Sequence, residues 1–414
     1  METKLVDHLF RHQYGKMVAS LTRIFGTSYL ETIEDAVQDT FVKASLQWRK
    51  QQPDNPKAWL VKAAKNRIID IIRQIDSEKK RQHYISAGTD SIQIHELFLE
   101  HEVEDSQLRM IFVACHPDLV ISDQVAFSLK TISGFSTREI AAALLQKEET
   151  IKKRLSRARQ FIVKNNIKFE FPEADQVHKR LSRVMEVIYL TFNEGFHSTN
   201  KMNLIREDLC GEAIRLCKLL LNKEKFRSGS LYALLALMCF HSSRLKSKID
   251  SSGKIIDLKH QDRSKWYKPL IVVGNIAMNN SLEYSDFSIY HLEAAIAAEH
   301  LKAKSFENTN WNKIGDYYLR LIDIQPSVSA YMNLSIVYLQ LNKLDKAKKI
   351  LDSISPENLG QRAYLYHGCW AEYYSKSGDH DKAVSYINKS IQSVTNQLEK
   401  IYLKKKKAEL LHST

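Results

Sequence analysis

Two short helical patterns separated by a break, between Thr137 and Ile162, constrain the fold of this chain more than any other feature. Ser136 and Glu139 have the spacing of a capping box, which predicts that the first helix begins at about Thr137. The residues LQKEE supply the break, and the second helix is predicted to begin near Glu149. Its apolar residues form one narrow stripe at helical spacing; they are Ile151, Leu155, Ala158 and Ile162. This arrangement is typical of a helix-turn-helix.

The face of the second helix opposite that stripe is polar and basic. Long cationic and hydroxyl side chains on such a face can donate hydrogen bonds to base edges or phosphates. The face consists of Glu149, Lys152, Lys153, Ser156, Arg157 and Gln160. Arg154 and Arg159 lie at its flanks, where phosphates run beside a helix in a major groove. The alternative is a surface helix that Lys and Arg merely keep soluble, but the short first helix and short break favour DNA binding.

The overall charge agrees with a polyanionic partner. The 414 residues carry a formal net charge of +13 with a pI near 9.2. This charge favours nucleic acid as the partner over a membrane surface. Gly and Pro are scarce, and this favours long helices joined by short loops. The five cysteines include no CxxC motif, so a reducing compartment is expected. No signal peptide is recognised, and the longest apolar run (231–240) is much shorter than the roughly 20 residues that span a bilayer. We therefore expect a cytoplasmic, all-α protein without a membrane segment.

Three helices are predicted in the N-terminal part, over residues 9–25, 31–48 and 55–74. Apolar residues recur in the second at helical spacing; they are Ile33, Val37, Phe41 and Ala44. The third is predicted to start with Asn55 as N-cap and Pro56 at its first position. Its expected buried stripe consists of Leu60, Ala64, Ile68, Ile71 and Ile72.

The other side of the third helix combines an aromatic residue, an amide and cations: Trp59, Lys62, Asn66 and Arg73. Residues 43–82 contain eleven basic and four acidic groups. An aromatic ring can stack on a base, and Asn can hydrogen-bond the Watson–Crick edge of an extruded base. The alternative for Trp59 is a packing role between helices.

Residues 77–108 are predicted to be a linker, because an acidic stretch there separates two basic ones. Its acidic residues are Asp90, Glu96, Glu100, Glu102, Glu104 and Asp105. Two interpretations remain: a solvated loop, or a segment that mimics nucleic acid inside a basic channel of a partner.

The C-terminal part contains two similar stretches at an offset of 36 residues, 330–351 and 363–387. Four positions of one match four of the other: Leu334, Tyr338, Ala347 and Leu351 align with Trp370, Tyr374, Ala383 and Ile387. An aromatic residue in the first helix, followed nine positions later by a small residue where the second helix crosses closely, is the spacing of tetratricopeptide helix pairs.

Taken together, these segments resemble bacterial sigma factors of the extracytoplasmic-function group. Segment 32–44 (TIEDAVQDTFVKA) resembles the polymerase-binding helix of sigma region 2, and segment 56–73 (PKAWLVKAAKNRIIDIIR) resembles the promoter-melting and −10-recognition helix that follows it. Segment 123–162 resembles sigma region 4, which reads the −35 element. The resemblance covers nearly all of residues 8–165. Later stretches such as LIREDLCGEAIRLCKLLL and QDRSKW resemble the subgroup with a fused helical-repeat extension.

The resemblance implies a role for individual residues. The side chains expected to meet the clamp helices of the polymerase largest subunit are Asp35, Gln38 and Asp39. Those expected in −10 recognition and melting are Trp59, Lys62, Lys65, Asn66 and Arg73, with Asn66 holding a flipped base. Those expected to touch the −35 major groove are Lys152, Lys153, Ser156 and Arg157. The melting region has few aromatics besides Trp59, which implies stringent promoter choice.

The implied organisation is region 2 over 1–76, a flexible acidic linker over 77–108, region 4 over 109–168 and a tetratricopeptide-like regulatory domain over 169–414. The linker corresponds to the segment that threads toward the active-site and RNA-exit channel. The implied partners are promoter DNA, core RNA polymerase (clamp helices and flap), and a protein or peptide ligand of the repeat domain. No enzymatic activity, cofactor, metal or membrane is expected.

Two alternatives remain at the level of function: a helix-turn-helix regulator with a tetratricopeptide sensor that does not bind core polymerase, and a repeat scaffold with an incidental basic N-terminus. In the QDRSKW segment, Asp262 and Arg263 are interpreted as a buried pair that organises the repeat domain, with a ligand site as the alternative.

Overall fold

The computed structural model describes residues 2–49, 51–75, 100–144, 146–196, 205–250, 253–355, 359 and 363–412. Over these ranges the chain forms eighteen α-helices and short 3-10 turns, without a β-strand, so the all-α prediction is confirmed. The chain divides into two compact units, Met1–Thr191 and Phe192–Thr414.

The first unit contains eight helices, the last of which continues into the second unit. They are α1 (Glu2–Phe25), α2 (Leu30–Gln47), α3 (Pro56–Ile75), α4 (Glu100–Ala114), α5 (Ile121–Thr131), α6 (Thr137–Ala143), α7 (Glu148–Lys164) and α8 (Ala174–Phe196). The three predicted N-terminal helices are therefore present. Arg180 of α8 donates a hydrogen bond to the carbonyl oxygen of Phe112 at 2.6 Å, which fixes the start of α8 on α4. The second compact unit begins at Phe192, within α8, and the boundary at residue 169 stays a prediction.

The predicted apolar stripes of α2 and α3 are buried. Ile33, Val37, Phe41 and Ala44 all lie in the core, and so do Leu60, Ala64, Ile68 and Ile72, while Ile71 is half-buried. The side-chain oxygen of Asn55 accepts a hydrogen bond from the backbone N–H of Ala58 at 3.1 Å, so Asn55 caps α3 as expected. Burial of these stripes turns the polar sides of α2 and α3 outward.

Residues 100–108 differ from the predicted linker, because α4 begins at Glu100. Val103 and Leu108 are buried, and this apolar burial favours a helix that α1 can pack against. Two of its acidic side chains have cationic partners: Glu102 pairs with Arg23 of α1, and Asp105 lies 3.2 Å from Arg109. Acidic composition alone concealed the apolar side of this helix. The rest of the predicted linker, from 77 to 99, lies outside the described residues.

The second unit contains ten further helices. They are α9 (Glu207–Leu221), α10 (Gly229–Ser242), α11 (Lys268–Ser281), α12 (Ile289–Lys302), α13 (Trp311–Ile324), α14 (Val328–Gln340), α15 (Leu344–Asp352), α16 (Ala363–Lys376), α17 (His380–Ser393) and α18 (Gln397–His412). Helix α10 is apolar on all sides and almost wholly buried, because α9, α11 and α12 surround it. It is the central helix of this part of the fold.

The helix pairs α14–α15 and α16–α17 reproduce the predicted 36-residue repeat. The small residues Ala347 and Ala383 are fully buried where the second helix of each pair crosses the first. Leu334 and Trp370 are buried in the first helices, and Tyr338 and Tyr374 are half-buried one turn later. The ring of Trp370 stacks with that of Tyr374, with centroids 5.5 Å apart.

The carboxylate of Asp286 accepts hydrogen bonds from the first residues of α10, and the effect of removing it is our first testable prediction. Asp286 accepts hydrogen bonds from the backbone N–H groups of Gly229 (2.7 Å) and Ser230 (2.8 Å). Burial acts to raise the pKa of Asp286, but the hydrogen bonds from Ser230 and Gly229 outweigh it and lower the pKa. Because the folded pKa is lowered, the contribution to stability is present above the unfolded value of about 3.9 and is lost as pH falls through the folded pKa.

Asp286→Ala is therefore expected to destabilise the second unit at neutral pH by about 1 kcal/mol or less, since water competes for this exposed carboxylate. The difference from the unmodified protein should shrink as the pH falls below the unfolded value of about 3.9 and through the lowered folded pKa of Asp286. Calorimetry at several pH values measures it, with exposed Asp323→Ala as the control. A difference that does not change with pH contradicts this role for the charge of Asp286.

Candidate nucleic-acid interface

The predicted helix-turn-helix forms from α6 and α7. The capping box is present: Ser136 Oγ accepts a hydrogen bond from the backbone N–H of Glu139 (3.2 Å), and Glu139 Oε2 accepts one from the backbone N–H of Ser136 (2.8 Å). The whole predicted stripe of α7 is buried, and its residues are Ile151, Leu155, Ala158 and Ile162. This packing against α5 and α6 sets which side of α7 faces outward.

The outward side of α7 is the predicted polar face, and all of its members are exposed: Glu149, Lys152, Lys153, Ser156, Arg157 and Gln160. Lys152 Nζ lies 2.8 Å from Glu149 Oε1, one helical turn earlier. Both side chains are in solvent, so water and salt compete with this pair. A polyanion that approaches this face meets cationic side chains at its centre.

Arg157 is oriented by a buried acid at the start of α5. Its guanidinium lies 2.9 Å from Asp123 Oδ1, and 63% of the Arg157 side chain is exposed while only 4% of the Asp123 side chain is. Arg154 lies 3.9 Å from the same carboxylate and is mostly buried. Asp123 therefore restricts where the guanidinium of Arg157 points.

Arg159 differs from the prediction of an open flank position. Its guanidinium donates two hydrogen bonds to Glu34 Oε2, at 2.9 and 2.5 Å, and lies 3.6 Å from Glu31. Only 18% of the Arg159 side chain is exposed, and Glu34 of α2 is fully buried. A buried carboxylate requires a charged, hydrogen-bonded partner, and Arg159 is positioned to supply it.

Other polar groups surround the Glu34–Arg159 pair. Burial raises the pKa of Glu34, while the charges of Arg159 and Lys130 act to lower it. Burial lowers the pKa of Lys130, whose ammonium lies over the ring of Tyr14 at 5.1 Å. These interactions join the helices of the predicted region 2 to those of the predicted region 4 within the first unit.

On α3, the predicted −10 residues do not all have the same environment. Lys62 and Asn66 are exposed, and Lys65 is half-buried with its pKa lowered by desolvation. Trp59 is half-buried and packs edge-on against Trp48, with ring centroids 5.5 Å apart. The packing alternative for Trp59 is thus realised in this structure. The side chain of Arg73 lies outside the described residues.

Trp48, which the sequence reasoning did not single out, is the second ring of this aromatic pair and is 3% exposed. Its position just after α2, one loop before Trp59, is the signal that would have identified it.

The predicted polymerase-binding residues share one outward side of α2. Asp35, Gln38 and Asp39 are all exposed. Asp39 lies 3.4 Å from Arg67 of α3, and the pKa of Asp35 is raised by partial burial and then by the neighbouring charge of Glu31. The spacing of these three residues places them on adjacent turns, where one partner surface can contact all of them.

The described residues were also compared with the requirements of a membrane-spanning helix and of a metal site. None of the described helices is long and apolar enough to cross a membrane. Among the residues that the structure describes, no three His, Cys, Asp or Glu side chains lie close enough together to hold a metal ion.

Four family models match successive parts of the chain. The profile of sigma-70 region 2 matches residues 9–78, and that of sigma-70 region 4 matches residues 109–162. A family of unknown function, DUF6596, matches residues 180–282, and a tetratricopeptide repeat matches residues 328–353. No solved structure matches the chain.

Two relatives extend the comparison. An uncharacterized protein of Rhizobium meliloti (strain 1021) is 30% identical over 410 residues, which is 97% of this chain and 95% of the relative. The ECF RNA polymerase sigma factor SigE of Mycolicibacterium smegmatis is 26% identical over 154 residues, which is 37% of this chain and 58% of that protein.

The matches to sigma-70 region 2 and then to sigma-70 region 4, in that order along the first unit, identify the class of protein as a sigma factor. The chain belongs to the sigma-70 family, as an extracytoplasmic-function-like sigma factor with a fused tetratricopeptide-like domain.

Proposed function

We propose that this protein binds core RNA polymerase and directs it to promoters with −35 and −10 elements, and that its tetratricopeptide-like unit regulates this activity. The observation that carries the proposal is the set of outward polar faces on α2, α3 and α7, each backed by a buried apolar stripe. The polymerase supplies the catalysis, and this chain supplies binding energy for promoter choice and strand opening.

In this proposal α2 meets the clamp helices of the polymerase through Asp35, Gln38 and Asp39. The three side chains are acidic or amide and exposed, so they suit a partner surface that is rich in donors. Asp39 would exchange its contact with Arg67, 3.4 Å away and solvent-exposed, for a contact with the partner.

Helix α3 follows α2 directly and would meet the −10 region. Asn66 and Lys62 are exposed one turn apart, so an extruded base held by the amide would have a cation beside its phosphate. Trp59, packed on Trp48, supports the start of α3 in this account.

Core binding is the most direct test of the first part of the proposal. Asp35→Ala combined with Gln38→Ala is expected to weaken the complex with purified core polymerase about tenfold, because two polar contacts are lost. Titration of fluorescently labelled core polymerase measures the affinity. Asp323→Ala with Gln325→Ala, two exposed residues of the second unit, is the matched control. If both double variants bind core polymerase with equal affinity, these residues of α2 do not contribute to the interface with the polymerase.

Recognition of the −35 element by α7 gives a further prediction. Arg157→Ala is expected to weaken binding to the preferred promoter by about 1–3 kcal/mol and to relax the sequence preference at one position, if the guanidinium reads a base. Lys153→Ala should weaken binding to every sequence and reduce the salt slope by about one if it contacts phosphate. Binding is measured by fluorescence anisotropy at several salt concentrations.

Lys348→Ala is the matched control for these DNA measurements, because it removes the same charge from an exposed position of the second unit. Affinities of Arg157→Ala and Lys348→Ala that coincide on all sequences would contradict the assignment of α7 as the reading helix.

A further inference from the structure

A group of cationic side chains gathers at the end of α10 in the second unit. We define this cationic cluster as the cations Arg244, Lys248 and Arg263 together with the imidazole of His300 beside them. The 3-10 turn Leu245–Ser247 contacts the 3-10 turn Arg263–Lys265. Arg244 and Lys248 flank the first turn, and Arg263 is the first residue of the second. Two hydrogen bonds clamp the turns together: Tyr267 N–H to the carbonyl oxygen of Ser243 (2.8 Å), and Ser247 Oγ to that of Asp262 (3.5 Å).

The arrangement differs from the predicted buried pair of Asp262 and Arg263. The Asp262 side chain is exposed and accepts hydrogen bonds from the backbone N–H and the hydroxyl of Ser264. Arg263 instead donates from Nη1 to the carbonyl oxygens of His300 and Ala303, the latter at 2.8 Å. The two residues thus have separate roles, and the guanidinium is attached to the end of α12.

The members of the cluster are close enough to perturb one another. Burial and then the charge of Arg263 lower the pKa of Arg244 to about 10. Burial and then the charge of Arg244 lower the pKa of Lys248 to about 7. Burial, Arg244 and Arg263 together lower the pKa of His300 to about 3, so this imidazole is neutral at physiological pH. Like charges held together in this way are unfavourable.

Among the residues that the structure describes, no carboxylate compensates the cluster directly. In the described part of the chain, Arg244, Lys248 and Arg263 form no ion pair with Asp or Glu. Glu399 and Glu307 act on Lys248 and Arg263, respectively, only from a longer distance. Lys248 donates to the carbonyl oxygen of Phe196 at 2.6 Å, and Arg244 Nη2 lies 3.1 Å from His241 Nδ1. Partly buried charges without a counterion are costly.

The cluster also has unused hydrogen-bonding capacity. Within the described structure, Arg263 Nη2, His300 Nδ1 and Trp266 Nε1 are buried without a hydrogen-bond partner, and Trp266 is only 5% exposed. The guanidinium of Arg263 lies over the ring of Trp266 at 4.6 Å, which holds its plane in place. Arg244, Lys248, Arg263 and His300 are all half-buried, so each residue keeps part of its surface in solvent.

We propose that the cationic cluster binds the phosphoryl group of a small ligand. Two guanidinium groups and an ammonium group match the charge and the several acceptor oxygens of a phosphoryl dianion, and Arg donates to phosphate in a bidentate manner. A ligand with a single carboxylate carries less negative charge than a phosphoryl dianion and would leave more of the cluster's positive charge uncompensated. The site lies among the helices of the second unit, and the proposal does not depend on how the first unit binds DNA or polymerase.

Calorimetric titration of the full chain with inorganic phosphate and with pyrophosphate tests the proposal, and acetate at matched ionic strength is the carboxylate arm. Saturable phosphate binding is expected, and Arg244→Gln should weaken it at least about tenfold, as expected for the loss of charge-assisted hydrogen bonds. Lys265→Gln is the matched control, because it removes an exposed cation from the neighbouring 3-10 turn and should leave the affinity unchanged.

Lys248→Gln provides a second variant should Arg244→Gln fail to fold, and circular dichroism checks folding of both. Absence of saturable phosphate binding overturns the proposal. So does phosphate affinity that is the same in the cluster variants as in Lys265→Gln, since it would place the bound anion elsewhere on this basic protein. Acetate binding as strong as phosphate binding overturns the assignment of the phosphoryl group.

Discussion

Replacing Arg159 by alanine is expected to destabilise the first unit by about 3–5 kcal/mol, the cost of leaving a buried charge without its partner. Glu34 is fully buried, accepts both of its hydrogen bonds from this guanidinium, and has a second oxygen without a partner in the described structure. The remaining nearby cation, Lys130, makes no hydrogen bond to Glu34. Its long-range attraction cannot replace the lost pair.

Hydrogen exchange of peptides from α2 and α7 measures this effect locally, which matters because a chain of two units need not unfold in a single transition. Arg138→Ala, an exposed cation of α6, is the matched control and should leave exchange unchanged. Replacing both partners, Glu34→Leu with Arg159→Met, should recover most of the loss because neither charge then remains buried. Unchanged exchange in Arg159→Ala would contradict the assigned role of the pair.

Replacing Gly15 by alanine is expected to have the second large effect. Alanine usually stabilises a helix when it replaces glycine, but here it should destabilise the first unit. A Cβ atom at Gly15 of α1 would lie 1.8 Å from the carbonyl oxygen of Ile132, just after α5. The obstacle is backbone, so no change of rotamer relieves it and α1 must move away from α5. Overpacking of this kind costs about 1–3 kcal/mol or more.

Gly211→Ala is the matched control for Gly15→Ala. It lies within α9, is exposed, and an added Cβ meets no atom within 4 Å. Alanine there should stabilise the helix by about 0.5–1 kcal/mol, the ordinary gain of replacing a helical glycine. Thermal unfolding of the full chain compares the two variants. A Gly15→Ala variant as stable as Gly211→Ala would show that α1 and α5 do not approach each other so closely.

The sequence predicted the helices whose apolar residues follow a single clear period. In α2 and α7 every predicted stripe residue is buried, because a regular stripe leaves one way to pack the helix. Local hydrogen bonds were equally predictable, as Asn55 and the Ser136–Glu139 box illustrate. Both kinds of signal act within a few residues of one another along the chain.

The errors arose where distant residues determine the environment. Glu34 follows the stripe residue Ile33 of α2 and is buried, and Arg159, 125 residues later, supplies the partner that no local pattern indicates. Residues 100–108 read as linker because Arg23, the partner of Glu102, comes from another helix. The cationic cluster combines residues of two turns and of α12, so no local pattern identifies it.

The position of Arg159 also bears on how the first unit would meet a promoter. Glu34 lies in the part matched by sigma region 2 and Arg159 in the part matched by region 4. If these two parts separate on DNA, both charges lose their partner, and Arg159 then becomes available to a phosphate. The expectation of a flanking phosphate contact would apply to that separated state and not to the structure described above.

The central claim is that this protein gives core polymerase its promoter specificity, and run-off transcription tests it most directly. Transcript starts are first mapped after overexpression of the full chain, and the mapped promoters then serve as templates for purified core polymerase with and without the protein. The account predicts initiation at the mapped start only when the protein is present, and its loss when a −35 or −10 element is altered. Initiation no greater than that of core polymerase alone on every mapped template, together with no complex with core polymerase, would contradict it.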